Sequence, residues 1–163
     1  MKLIAHRANV EGPNPSTENK PEQIISCIEQ GYDVEIDVRY DPYTNKLWLG
    51  HDEPQYMITW YWLAGNQDRL WIHCKDITTL HEFSAKTSGY NYFWHQEDDY
   101  TLTSKQKIWA YPGKTVPYFS EMISVAVMPE STLYEMNENQ FKNFAAVCTD
   151  YVNQYDQVNT VRS

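Results

Sequence analysis

Apolar residues in the first third of the chain come in short runs that end on, or alternate with, charge. Leu3-Ile4-Ala5 leads into His6-Arg7, Val34, Ile36 and Val38 alternate with Glu35 and Asp37, and Leu47-Trp48-Leu49-Gly50 leads into His51-Asp52. Short β-like runs of this kind predict strands over Lys2–His6, Tyr32–Arg39 and Lys46–Gly50, the last returning from a turn at 41–45. Further strands are expected over Arg69–Cys74, Asn91–Trp94, Tyr100–Thr103, Ile108–Tyr111, Ile123–Met128 and Ala145–Thr149. Between them lie helical stretches. Pro21–Gln30 carries Pro21 in its first turn, Gly31 past its end, and Ile24, Ile25 and Ile28 on one face. Ile58–Ala64 reads as a short helix, Asp76 as the cap of a helix reaching about Thr87, and Asn137–Phe144 as a late helix.

Strands alternating with helices imply an α/β fold with a parallel sheet. His6, His73, His95 and Asp150 fall at the C-terminal ends of expected strands, the rim on which a (β/α)8 barrel builds its site. Such a barrel rarely takes fewer than ~200 residues. With 163 residues and few helices after residue 95, the expectation is a minimal or irregular (β/α)8 TIM-type barrel with reduced helices in its second half. One domain is expected over 1–155, followed by a polar tail over 156–163.

A hydrophobic fraction of 42% suffices for one packed core. The net charge of −9 argues against nucleic acid or an anionic membrane as partner, yet allows a small phosphorylated ligand held by a few local cations. Cys27, Cys74 and Cys148 are odd in number and form no CxxC pair, so they are expected to be reduced, buried thiols of a cytoplasmic protein. No apolar stretch is long enough to span a bilayer, and the opening strand leaves no room for a signal peptide. Oligomeric state stays open.

Glu35 and Asp37 sit at i and i+2 of one strand, so both side chains point the same way. Two carboxylates so placed repel unless a cation lies between them, and a hard divalent ion with oxygen ligands suits the gap. The plain alternative is a solvated strand face, against which the flanking Val34, Ile36 and Val38 argue. His6 and His51 have the titration range for proton transfer, or they are capping or core histidines. Arg7 and Lys75 can grip phosphate, Lys75 being otherwise a loop lysine beside Asp76; Asn19 can cap the first helix. Trp109 and Tyr111 share a strand side, for core packing or for stacking on a substrate. His95, Glu97, Asp98 and Asp99 form a second polar cluster whose default reading is a solvated loop.

Taken in order, His6-Arg7, Glu18-Asn19, Glu35-x-Asp37 and His51-Asp52, followed by Lys75, Trp109 and Cys148-Thr149-Asp150-Tyr151, resemble the glycerophosphodiester phosphodiesterase family. That family lies within the phosphatidylinositol-phospholipase-C-like phosphodiesterase superfamily, and this chain looks like a shortened member. The strong part of the resemblance covers the first third of the chain. It implies a metal-dependent hydrolase of lipid metabolism that acts on glycerophosphodiesters or similar small phosphodiesters. His6 and His51 would be its acid–base couple, and Glu35 and Asp37 the ligands of one divalent ion (Mg, Ca or Mn). Arg7, Lys75 and Trp109 would contact substrate, with Glu18 and Asn19 in support. The chain departs from the family at Ala8, where Gly is usual, at Lys20, where Thr is usual, and at His73, where a third acidic ligand is usual. His73 either binds a softer ion such as manganese or zinc, leaves the ion to two carboxylates and water, or marks lost activity. The competing expectation is a catalytically degenerate barrel that binds a phosphorylated ligand without turnover.

Overall fold

A computed structural model describes residues 1–86, 89–131 and 141–160, with side chains of the last helix described as far as Asp156. The chain runs β1 (Lys2–His6), α1 (Pro21–Glu29), β2 (Asp33–Asp41), β3 (Lys46–Leu49), β4 (Tyr56–Ile58), α2 (Trp60–Asn66), β5 (Leu70–Cys74) and α3 (Ile77–Ala85). It continues through β6 (Asn91–Phe93), β7 (Tyr100–Leu102), β8 (Ile108–Ala110), β9 (Ser124–Val127), β10 (Ala146–Thr149) and α4 (Val152–Thr160).

The strands form one curled, mixed sheet. Its parallel part runs β6–β5–β2–β1–β10–β9–β8, with β7 antiparallel on β8. β2 is long enough to fork: Val34–Val38 pairs β5, while Val38–Asp41 pairs β3, which carries β4 on its far side. Among the described residues no ladder joins β6 to β7. Ser104 bridges the gap instead, donating its backbone N–H to Tyr92 O at 2.8 Å and accepting from Tyr92 N at 2.9 Å. The architecture is therefore mixed α/β around a curled sheet, a coarser result than the minimal or irregular (β/α)8 barrel expected from sequence. A single 3-10 segment, Tyr118–Ile123, stands between β8 and β9.

Local chemistry explains most element ends. Pro21 opens α1, whose Ile24 and Cys27 are buried. Asp76 caps α3 by accepting from Thr79 N at 2.7 Å. Thr59 caps α2 in the same way, accepting from Trp62 N at 3.0 Å. The short helix thus starts at Trp60 and passes through Gly65, while Ile58, expected to open it, closes β4. Half of the helix expected over Asn137–Phe144, residues 137–140, lies outside the described residues. Residues 156–160 of the polar stretch expected after Tyr155 continue α4, because Val152 and Tyr155 bury one side of that helix and Tyr32 Oη donates to Asp156 at 3.0 Å. No described helix is long and apolar enough to cross a membrane. All three cysteines are free and buried.

Strand alternation sorts side chains into two sets. Val34, Ile36, Val38, Ile72 and Cys74 pack outward beneath α1 and α3 with Ile24, Cys27 and Phe83. Ile4, Trp71, Phe93, Trp109, Val125, Val127 and Cys148 fill the inside of the curl. Asp33, Glu35 and Asp37 belong to the inward set of β2. Asp33, at the N-terminal end of the strand, is neutralised by Lys2 Nζ at 2.7 Å, Arg69 Nε at 2.8 Å and Trp71 Nε1 at 3.1 Å. Removing it leaves two cations and an indole N–H without their shared acceptor. Asp33→Ala should lower unfolding free energy by about 3 kcal/mol in urea denaturation while leaving ligand binding at the opposite rim intact; an unchanged midpoint would show that this ion cluster contributes nothing.

Candidate functional site

The opposite, C-terminal rim of the parallel strands opens into a cavity of about 420 Å³. It is lined by His6 at the end of β1 and Arg7 after it, Glu35 and Asp37 of β2, His51 after β3, His73 of β5 and Lys75 just past that strand, and Trp109 of β8. Glu35 and Asp37 are 2% and 1% exposed, so the solvated-face alternative does not hold.

Each carboxylate is held by backbone geometry set up elsewhere. Arg7 N donates to Glu35 Oε2 at 3.1 Å from a turn in which Arg7 and Ala8 have φ of 51° and 67°. A left-handed residue with a Cβ costs roughly 1–2 kcal/mol, which is why Gly suits the position that Ala8 occupies. Asn19, also left-handed at φ 58°, forms a reciprocal pair with Asp37: its Nδ2 donates to Oδ2, and Asp37 N donates to its Oδ1, both at 2.9 Å. Asn19 is therefore no helix cap; Lys20 holds that place without a side-chain cap bond.

The two histidines share one arrangement. His6 Nδ1 meets Asp150 Oδ1 at 2.8 Å, and His51 Nδ1 meets Asp52 Oδ1 at 2.8 Å. In both rings Nε2 is left for other work, and in His6 it stands 3.9 Å from Glu35. Burial lowers the His6 pKa, but Asp150 and Glu35 outweigh it and leave it raised. His51 rides on a loop fixed by Gly50 and Arg39. Gly50 N donates to Asp37 O at 3.1 Å, and a Cβ at Gly50 would lie 1.9 Å from Glu53 O, so only glycine fits. Arg39 Nη2 donates to the carbonyls of His51 and Asp52 at 2.6 and 3.1 Å.

Side-chain nitrogens surround Asp37: Lys75 Nζ at 3.3 Å from Oδ1, Arg7 Nε at 3.5 Å from Oδ2 and His73 Nδ1 at 3.3 Å from Oδ1. Burial raises the Asp37 pKa, but the His73 ring in its protonated form and the Lys75 and Arg7 charges outweigh it and hold the carboxyl well below the usual range. Glu35 goes the other way, pushed up by burial and by the Asp37 charge. Arg7 Nη1 also reaches Glu18 at 3.4 Å, and Asn9 Nδ2 joins Glu18 to Asp150 at 3.0 and 2.8 Å. Among the described residues, the carboxylates Glu18, Glu35, Asp37 and Asp150 thus face only Arg7 and Lys75 as permanent cations.

One divalent ion would close that gap of two charges. Ligand atoms of Glu35, Asp37 and His73 all lie within 4.8 Å of one another, and Asp37 Oδ1 has charged neighbours but no hydrogen bond of good geometry. The donor set fits a divalent metal. Glu97 is exposed and takes no part; His95 lies against His73, with ring centroids 4.8 Å apart, and burial and His73 push its pKa down to about 4. Trp109 is 4% exposed and packs between Phe93 and Trp71, so it forms the cavity floor as well as core, while Tyr111 is exposed at the edge. His81 is exposed on α3.

The cavity brings together His6, Arg7, Glu35, Asp37, His51, His73, Lys75 and Trp109, while Glu18 and Asn19 stand behind it on Arg7 and Asp37; from sequence, Asp150 carried no role beyond its place on the rim and in the final motif, and Asn9 none. An Asn two residues beyond Arg7, with an Asp closing the last strand, was the available signal. No known protein family matches the sequence, and no curated protein matches it. Among solved structures the fold is similar to the crystal structure of a "putative glycerophosphodiester phosphodiesterase from Galdieria sulphuraria", with 11% identity, a TM-score of 0.49, and coverage of 99% of this chain and 98% of that one.

Asn19→Ala strips Asp37 of both reciprocal bonds and leaves buried polar atoms unpaired. It should cost about 2–3 kcal/mol in chemical denaturation and weaken divalent-ion binding measured by calorimetry; unchanged stability and binding would mean that Asn19 does not hold Asp37.

Proposed function

We propose that the protein hydrolyses small phosphodiesters, with glycerophosphodiesters as the substrate class. The sheet is read as a shortened relative of the (β/α)8 barrel, with its site at the C-terminal ends of the parallel strands. The observation that carries the proposal is the matched pair of histidines, each fixed by a carboxylate through Nδ1, on one cavity with Arg7 and Lys75. Phosphodiester cleavage needs one group to take a proton from the nucleophile and another to give one to the leaving alcohol. A site that only binds phosphorylated ligands needs Arg7 and Lys75, but not two histidines oriented in this way.

In this reading Arg7 and Lys75 neutralise the non-bridging oxygens, the guanidinium as a fork and the ammonium as a point charge. A divalent ion, when bound by Glu35 and Asp37, adds positive charge where the phosphoryl group becomes more negative. One histidine takes the proton of an attacking hydroxyl as its oxygen bonds to phosphorus. The other protonates the leaving alcohol oxygen as its bond to phosphorus breaks. Where the substrate carries a neighbouring hydroxyl, that group is the nucleophile and the first product a cyclic phosphate, which water then opens by the same exchange in reverse. Asp150 and Asp52 keep the rings oriented. The reduced thiols suit a cytoplasmic setting.

His6→Ala and His51→Ala should each lower kcat on glycerophosphocholine ~100-fold or more, with circular dichroism unchanged. Near-normal turnover in both variants would end the proposal, and phosphorus NMR of the wild-type reaction would reveal the cyclic intermediate.

A further inference from the structure

Three observations about His73 carry an inference beyond the reaction itself. Its Nε2 lies 3.3 Å from the carbonyl oxygen of His95. A carbonyl only accepts, so Nε2 carries the proton and, in the neutral ring, Nδ1 presents a bare lone pair. That lone pair faces Asp37 Oδ1 at 3.3 Å and Glu35 Oε1 at 3.8 Å. Lone pair against carboxylate is repulsive unless a positive centre lies between them. Asp37, 1% exposed, keeps Oδ1 free of any well-formed hydrogen bond on that side. The ring is also packed against two flat neighbours, Phe93, with centroids 5.2 Å apart and planes at 8°, and His95, at 4.8 Å and 4°.

A histidine whose far nitrogen donates to a backbone carbonyl, fixing its tautomer, is in the arrangement proteins use for metal-binding imidazoles. Imidazole is a poor ligand for calcium and an uncommon one for magnesium, while manganese, cobalt and zinc accept it readily. We propose that Glu35, Asp37 and His73 Nδ1 together form a mixed oxygen–nitrogen site that selects a first-row transition-metal dication over magnesium and calcium. The inference rests on the reading that Glu35 and Asp37 hold a dication, and is independent of whether the bound ion serves hydrolysis.

The test uses the metal-stripped full chain without substrate. Calorimetric titration gives Kd for Mn(II), Zn(II), Mg(II) and Ca(II) on wild type and His73→Glu. Because transition metals bind most sites more tightly than magnesium or calcium, the deciding quantity is the change in the Ca-to-Mn ratio of Kd between the two proteins. His73→Glu should shrink that ratio about 10-fold or more. Pulsed electron paramagnetic resonance on the wild-type Mn(II) complex should show coupling to an imidazole nitrogen, a result that needs no variant to fold. An unchanged ratio, or a Mn(II) spectrum without nitrogen coupling, overturns the proposal. A separate assay with glycerophosphocholine distinguishes the two readings: tight Mn(II) binding without turnover supports the site and removes the hydrolase reading, whereas turnover without selective Mn(II) binding leaves the hydrolase reading intact and overturns this one.

Discussion

Glu35 and Asp37 lie side by side on the inward face of β2, and the cost of burying both carboxylates organises everything around them. Two unpaired charges in a protein interior are expensive, and adjacent like charges more so. The chain answers with contributions from several separate segments. Arg7 and Ala8 adopt left-handed backbone to turn an N–H toward Glu35, and Asn19 does so to clasp Asp37. Lys75 and His73 approach Asp37 from β5. Backbone strain of this kind persists only where the surroundings over-determine it. Here the reciprocal Asn19 bonds and the register of β1 on β2 provide that constraint.

The three acids on that face of β2 have different fates. Asp33, at one end of the strand, is met by Lys2, Arg69 and Trp71 and has all the positive charge it needs. Glu35 and Asp37, at the other end, share Arg7 and Lys75 with Glu18 and remain short of positive charge. The imbalance is confined to the rim that opens into the cavity. It is this difference in compensation, rather than burial alone, that separates a structural ion cluster from the rim proposed to receive a cation and a phosphate.

Much of this was legible in the chain because charge interrupts apolar runs at fixed places. The alternation in DVEIDV put Glu35 and Asp37 on one side, and the strand ends at His6, His73, His95 and Asp150 marked the rim. What could not be read depends on contacts far apart in sequence. Asp150 becomes the partner of His6 only because β10 lies beside β1. Asn19 looked like a cap because caps are local, and its pairing with Asp37 is not. Ile58 matched a helical pattern but joined β4, since the edge of β3 offered it a ladder. The polar residues after Tyr155 carried no periodic signal, yet they extend a helix already anchored by Val152 and Tyr155.

On the reading proposed above, the charge-deficient rim takes up a dication and turns over a phosphodiester. The direct measurement is hydrolysis of glycerophosphocholine and of an aryl phosphodiester by metal-stripped protein, with magnesium, calcium, manganese and zinc returned one at a time. Turnover should be absent without metal and restored by at least one ion. Turnover that is insensitive to chelation, or none with any ion on either substrate, would contradict that reading.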